Sequence, residues 1–156
     1  MLSELELQIA DGVQKNGWYL VNYAPTPGSN DPDEVFTYTV GLNKSAGWPE
    51  IIVVGLQPNV AFKLLSDLLG ACWEKKQRPV SGMTANGLVK NMPVKLVDFD
   101  RAEPRYFHFA DWHARHSGLA KSPRLQLLWP DQNGVLPNDP ACDPEIRALQ
   151  NMANAE

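Results

Sequence analysis

Hydrophobic residues recur along the chain with two spacings, one typical of helices and one typical of strands. Near the N-terminus, Ser3 and Glu6 form a capping-box pattern, and apolar residues follow at four-residue spacing through residues 5–13. This pattern predicts an amphipathic first helix that ends near Asn16. A broader apolar stripe within residues 58–76, with a proline in its first turn, predicts a second and longer helix.

Apolar runs rich in β-branched and aromatic residues predict the strands. They lie at residues 18–23, 35–40, 51–54, 94–99 and 125–129. The other predicted elements are a turn at residues 43–48, short strands with a tight turn at 85–87, a helix at 103–116 and a weak helix from about residue 144. Together they predict an α+β fold. We expect a mixed or mainly antiparallel sheet, with a barrel-like closure as one option, packed against two or three helices.

Length and composition are those of one globular domain. The chain has 156 residues, of which 44% are apolar and 21% are charged, and this length is enough to bury a core without disulfides or metals. We therefore expect a single domain over residues 1–156. Residues 17–137 would form its core, residues 1–16 the first helix, and residues 138–156 a tail with a weak helix.

Charge and segment composition argue against several classes of partner. The formal net charge of −4 gives no overall basic surface, so no nucleic-acid partner is expected. The first residues lack the pattern of a secretory signal, and no apolar run approaches the length needed to span a membrane. Cys72 and Cys142 have no metal-type spacing. These features predict a soluble, cytoplasmic protein with reduced cysteines.

Two segments combine strand-forming residues with Gly, Pro, Trp and a carboxylate. The first motif comprises residues 36–56 and contains Glu50; the second motif comprises residues 126–137 and contains Asp131. If their strands pair in one sheet, the strand ends could bring both carboxylates to one rim. Two carboxylates beside aromatic residues can bind a cation or an amine, or act as acid and base where burial separates their pKa values.

The candidate binding residues of this rim are Tyr38, Thr39, Trp48, Glu50, Gln126, Trp129 and Asp131. A purely structural interpretation stands beside the chemical one. In it, Trp129 fills the core and Asp131 forms an Asx turn with Gly134.

The three histidines lie within residues 106–116 and make a weak candidate for a metal site. On a helix, His113 and His116 share a face, but His108 and His113 point about 140° apart at 3.6 residues per turn. A metal would therefore need His108, Asp111, His113 or His116 together with ligands from other segments. The sequence contains no Gly-x-Ser-x-Gly elbow, dinucleotide fingerprint or phosphate loop, so no complete catalytic constellation is visible.

The order and spacing of the two motifs resemble the bacterial domain-of-unknown-function family numbered 4262. The resemblance rests on Tyr-Thr-Val-Gly-Leu, on Pro-Glu-Ile-Ile-Val-Val-Gly-Leu and on Gln-Leu-Leu-Trp-Pro-Asp-x-x-Gly-x-x-Pro, and it runs from about Gly17 to Pro137. Two departures stand out. The Pro-rich loop over residues 24–33 is longer than the usual connection, and Trp48 replaces a His that commonly precedes Pro-Glu. The resemblance implies a fold and a set of positions, but no activity.

Two classes of function follow from these observations. The leading hypothesis is a binding or regulatory module that recognises a protein or a small molecule at the rim, since Trp, Tyr and Asn suit binding surfaces. The alternative is an enzyme that holds a flavin or related cofactor on a split-barrel-like sheet, by analogy of fold alone. A metal-dependent hydrolase built on the histidines is a third option.

Overall fold

The computed structural model describes residues 2–24, 35–89, 92–101 and 105–150, and within them it contains five helices and six strands. The helices are α1 Glu4–Asn16, α2 Leu42–Ala46, α3 Pro58–Lys75, α4 His108–His116 and α5 Pro144–Leu149. The strands are β1 Tyr19–Tyr23, β2 Phe36–Val40, β3 Glu50–Val54, β4 Thr84–Val89, β5 Met92–Asp98 and β6 Arg124–Leu128. The predicted α+β class is confirmed.

The six strands form one mixed sheet in the order β1-β2-β3-β6-β5-β4. The pairing of β3 with β6 is parallel and the other four pairings are antiparallel. The two outer strands, β1 and β4, are not paired with each other, so the sheet is open in the described part of the chain. The barrel-like option is therefore wrong, and the prediction of a mixed sheet is confirmed.

Helices cover both faces of the sheet. Alternate residues of a strand point to opposite faces, so β3 contributes to two separate clusters of buried residues. One cluster packs β3 and β6 against α3 through Ile51, Val53, Leu65, Leu69, Leu125 and Leu127. The other packs β2 and β3 against α1 and α4 through Ile9, Phe36, Tyr38, Ile52 and Phe107. Within the described residues, every helix is too short or too polar to cross a membrane.

The first helix and the central strand follow the prediction closely. In α1, Ser3 and Glu6 form the capping box, and Gly17 closes the helix in the left-handed conformation with φ 93°. Strand β6 lies between β3 and β5, as its continuous apolar sequence indicates. The predicted C-terminal helix is also present as α5.

Three local predictions are wrong. The segment predicted as a turn at residues 43–48 contains α2, because its cap comes from a carboxylate further along the chain. Residues 85–87 lie inside β4, where Gly87 has φ 89° and the pairing register shifts between Ala85 and Val89, as in a β-bulge. Helix α4 begins only at His108, since Phe107 before it has φ 60°. Residues 25–34, which include most of the predicted Pro-rich loop, lie outside the described residues.

Candidate functional site

The carboxylate of Glu50 is buried where β2 turns into α2, and within the described residues it accepts four hydrogen bonds. Oε1 accepts from the Thr39 hydroxyl at 2.7 Å and from the Leu42 amide at 3.3 Å. Oε2 accepts from the amides of Gly41 and Asn43, both at 3.2 Å. The carboxylate thus caps the first turn of α2 and ties β2 to β3.

Opposing effects act on the pKa of Glu50. Burial disfavours the charged form and raises the pKa to about 7. The hydrogen bonds from Thr39, Asn43 and Leu42, together with the charge of Arg124, lower it in part. Glu50 can therefore hold a proton near neutral pH, and at 3% exposure its carboxyl group is shielded from solvent.

Asp131 is also buried, and it organises the loop that follows β6. Its Oδ1 accepts from the amides of Asn133 at 2.9 Å and Val135 at 3.0 Å, and its Oδ2 accepts from the amide of Asp143 at 2.9 Å. These backbone hydrogen bonds hold the pKa of Asp131 below its ordinary value, and the bond from Asp143 has the largest effect. The carboxylate therefore forms the expected Asx turn and also fixes the start of α5.

The two carboxylates lie at opposite ends of the central strand pair. Because β3 and β6 run parallel, Glu50 pairs with Arg124 at the start of both strands, whereas Asp131 follows the end of β6. Each strand rises about 3.3 Å per residue, which separates the two ends by roughly 13 Å. The expectation that Glu50 and Asp131 share one rim is wrong.

The two motifs nevertheless meet along the strands themselves. Residues Tyr38, Ile52 and Gln126 lie side by side on β2, β3 and β6. A family model described as a domain of unknown function (DUF4262) matches residues 12–143, which is most of the chain. This chain belongs to the DUF4262 family. No curated protein and no solved structure matches it.

Both DUF4262 motifs contribute to a slot at the far end of the parallel pair. The Trp129 indole donates to the Val54 carbonyl at 2.9 Å, which ties the end of β6 to the end of β3. The side-chain amide of Gln126 donates to the Gln150 carbonyl at 2.9 Å, and the backbone of Trp129 bonds to the Gln150 side chain. We call Gly55, Gln126 and Trp129 the glutamine slot. It holds Leu149, the last residue of α5, and Gln150, which follows it.

Tyr38 is the residue of the first motif that reaches a cleft. Its hydroxyl accepts from the amide of Phe109 at 3.1 Å and so satisfies a donor in the first turn of α4. Burial raises the pKa of Tyr38 well above its ordinary value. Beside it lies a cleft of about 300 Å³ between β1 and the start of α4, lined by Val21, Asn22, Tyr23, Tyr38, Arg105, His108 and Phe109.

Trp48 has a packing role in the cluster under α3. It is 8% exposed, and its ring meets the ring of Trp73 edge-on at a centroid distance of 5.2 Å. Position 48 is thus occupied by an aromatic ring in contact with the core. Trp73 in turn lies 6.2 Å from Trp18 and is 47% exposed.

The histidines and Asp111 do not converge. His113 is buried and its pKa is lowered, mainly by burial, whereas His108 and His116 are exposed. Asp111 forms a salt bridge with Arg124 instead. In the described residues, no group of three His, Cys, Asp or Glu side chains is placed to hold a metal ion. Cys72 and Cys142 are both buried and free.

Several residues of these sites are absent from the sequence prediction. Arg124 starts β6, lies 4.5 Å over the ring of Phe107 and pairs with Asp111, so that it holds α4 on the sheet. Its position at the start of an apolar strand is the only local signal for this role. Gln150 carries no pattern that marks it, because its partners Gln126 and Trp129 are distant in sequence. Arg105 carries none either, since the strand residues with which it lines a cleft are distant in sequence.

Proposed function

We propose that this DUF4262 protein is a binding module whose ligand site is the cleft between β1 and the start of α4. The observation that carries the proposal is the composition of its walls. Val21, Tyr23 and Phe109 supply apolar and aromatic surface, and the buried Tyr38 also lines the cleft. Ligand sites of proteins combine such surface with a few placed polar groups.

The polar groups of the cleft favour a ligand that carries hydrogen-bond acceptors. Asn22, Arg105 and His108 line it, and there is no carboxylate among its described lining residues. Arg105 is held in place by Tyr106: its Nη2 donates to the Tyr106 hydroxyl at 2.8 Å, and its guanidinium lies 4.6 Å from the ring centroid. A guanidinium stays charged at any physiological pH. Asn22, Arg105 and His108 can each donate a hydrogen bond, so the ligand class that we propose is a compact aromatic or apolar acid.

Size limits the ligand further. A volume of about 300 Å³ is at the small end of the range for ligand pockets, which suits a molecule of one or two rings. A fixed backbone supports this end of the cleft, because Phe107 holds φ 60° while its ring is buried. Such strained conformations of bulky residues cluster at ligand sites.

Binding accounts for the geometry better than the enzymatic alternatives do. Glu50 has a pKa near neutral pH, yet it is not among the residues that line the cleft and its oxygens are engaged by backbone donors. The open sheet removes the architectural argument for a flavin enzyme. The dispersed histidines give no support to a hydrolase.

Nuclear magnetic resonance titration tests the proposal. Benzoate and indole-3-acetate are added to the isotope-labelled protein, with benzamide and indole-3-acetamide as neutral counterparts of the same shape. We expect the acids to shift the amide signals of Val21, Asn22 and Phe109 at millimolar concentration or below. We expect the neutral amides to bind about tenfold more weakly, the change that corresponds to about 1.4 kcal/mol.

Asn22→Asp is the decisive variant, because it adds a carboxylate at an exposed cleft position and should weaken binding of the acids alone. Asn59→Asp makes the same charge change on the exposed side of α3 and serves as the control. If neither acid moves the signals of the cleft, or if both variants bind the acids as the unmodified chain does, the proposed site is wrong.

A further inference from the structure

The glutamine slot binds the C-terminal segment mainly through polar contacts. Gln150 is fully buried, although none of the six residues of α5 is buried and Leu149 is 50% exposed. Its side-chain oxygen accepts from the Trp129 amide at 3.0 Å, and its side-chain nitrogen donates to the Trp129 carbonyl at 2.7 Å. One side chain thus satisfies both backbone groups of a single residue.

The position of Trp129 in the sheet explains why these backbone groups need a partner. The pairing of β6 with β3 extends to Gln126, and its pairing with β5 extends to Leu128. Trp129 follows directly, beyond the last residue pair on either side, although β5 itself runs on to Met92. A primary amide offers one donor and one acceptor side by side, so Gln150 pairs with the Trp129 backbone where strand pairing has ended.

The slot also requires the chain to pass very close to Gly55. A Cβ atom at this position would lie 2.5 Å from the Leu149 carbonyl oxygen, and Gly55 has φ 94°. Glycine is needed here because a Cβ atom would clash with Leu149 and because other residues rarely adopt this positive φ. The Gly-Leu ending of the first motif and the Gln-x-x-Trp of the second motif therefore have one common role, which is to receive a chain segment.

The residues that form the glutamine slot and the residues that fill it differ in whether the family model matches them. Gly55, Gln126 and Trp129 lie within residues 12–143, which the family model matches, and Leu149 and Gln150 lie beyond them. We infer that the glutamine slot is a peptide-binding site selective for a glutamine side chain, and that this chain fills it with its own detachable C-terminal segment. The inference is independent of the cleft at Tyr38.

The C-terminal segment is suited to exchange. Besides Gln150, it is held by Asp143, whose amide donates to Asp131, and by Arg147, which donates to the carbonyls of Pro137 and Asp139. Such contacts exchange for contacts with water more readily than a buried apolar helix face does, since the net gain of each hydrogen bond is only about 1 kcal/mol. A segment of similar sequence can therefore compete for the slot.

A peptide with the sequence of residues 143–156, added to the full chain carrying Gln150→Ala, tests this site. The readout is the Trp129 backbone amide and indole signals in nuclear magnetic resonance spectra. We expect saturable binding, at least tenfold weaker for a peptide with alanine in place of its glutamine. The unmodified chain should also bind the peptide at least tenfold more weakly, because its own tethered segment competes.

Absence of any shift at Trp129 up to about 1 mM peptide, the effective concentration of a tethered segment, would overturn the inference. Equal binding of the glutamine and alanine peptides would overturn it as well. If Gln150→Ala does not fold, Gln150→Glu is used instead, since it keeps an acceptor and loses the donor. Sedimentation of the full chain over a range of concentrations tests how the slot is filled: monomers support filling by the chain's own segment, and concentration-dependent dimers would overturn this by assigning the segment to a second copy.

Discussion

The two ends of the parallel strand pair carry the same functional group, with its pKa shifted in opposite directions. Glu50 and Asp131 are each only 3% exposed, and each accepts hydrogen bonds from the backbone of an adjoining loop. Burial nevertheless raises the pKa of Glu50, whereas backbone hydrogen bonds lower the pKa of Asp131. Burial is the larger effect on the pKa of Glu50, and hydrogen bonds from the backbone are the larger effect on the pKa of Asp131.

The two ends also differ in the part of the chain that covers them. The Glu50 end is closed by chain that lies within the family match, namely α2 and the start of β3. The Asp131 end is closed in part by α5, which the match does not include. The exchange that we infer for the C-terminal segment therefore concerns the Asp131 end, while the Glu50 end is formed by chain within the family match.

The largest expected effect is the loss of stability in Glu50→Ala. The change leaves the Thr39 hydroxyl and the buried amides of Gly41 and Leu42 without their acceptor. We expect the free energy of unfolding to fall by about 4 kcal/mol, given a cost of 1–3 kcal/mol for each unsatisfied buried group and partial relaxation. Urea denaturation measures this, with the exposed Glu74→Ala as the control. A loss equal to that of the control would show that Glu50 is not the cap of α2.

The second expected effect is the pH dependence of stability that Glu50 produces. Its folded pKa of about 7 exceeds its ordinary value of 4.5, so the folded state binds the proton more tightly. The resulting stabilisation is complete below pH 4.5 and is lost as the pH rises through 7. At 1.36 kcal/mol per pKa unit, the change is about 3 kcal/mol.

Glu50→Gln isolates this contribution, because glutamine does not titrate. The low pKa of His113 acts in the opposite direction, destabilising the fold as the pH falls below 6.5, but it affects both proteins equally. The difference in unfolding free energy between the two proteins should therefore vary between pH 4.5 and 7. The lowered pKa of Asp131 changes the free energy of unfolding only below pH 3.8, which is outside this range. A constant difference would place the pKa of Glu50 near its ordinary value.

Much of the fold could be predicted because its signals are local. The capping box of α1, the apolar stripe of α3 and the continuous apolar sequence of β6 each specify one element, and the structure contains all three. Helix α2 could not be predicted in this way, since the acceptor that caps it is Glu50. That contact forms only once β2 and β3 are paired.

The candidate site was harder to predict than the fold because it depends on strand direction. The sequence identifies Glu50 and Asp131 as carboxylates at strand ends, but the parallel pairing of β3 with β6 decides that they lie apart. The sequence does not identify Gln150 as a site residue, although it is fully buried. A polar residue near the C-terminus carries no sign of burial until Trp129 and Gln126 are brought beside it.

The third prediction compares two glycines that share a left-handed conformation. Gly55 has φ 94° and Gly82 has φ 91°, but only at Gly55 would a Cβ meet another atom, the Leu149 carbonyl oxygen. Alanine at Gly82 should cost about 1 kcal/mol through backbone strain. Alanine at Gly55 should cost about 2 kcal/mol more, because the added atom displaces the C-terminal segment. Equal losses of unfolding free energy would show that the segment does not rest on Gly55.

The smallest expected effect is that of Asp131→Asn, which tests whether the two ends are independent. Asparagine retains one acceptor for Asn133 and Val135 but turns an NH₂ group towards the Asp143 amide. The melting temperature should fall by about 3 °C, as for loss of one hydrogen bond in a chain of this size. Hydrogen exchange should quicken in α5 and remain unchanged around Glu50, with the exposed Asp98→Asn as the control. Faster exchange at Glu50 would mean that the parallel pair transmits the change, and that the two ends act as one unit.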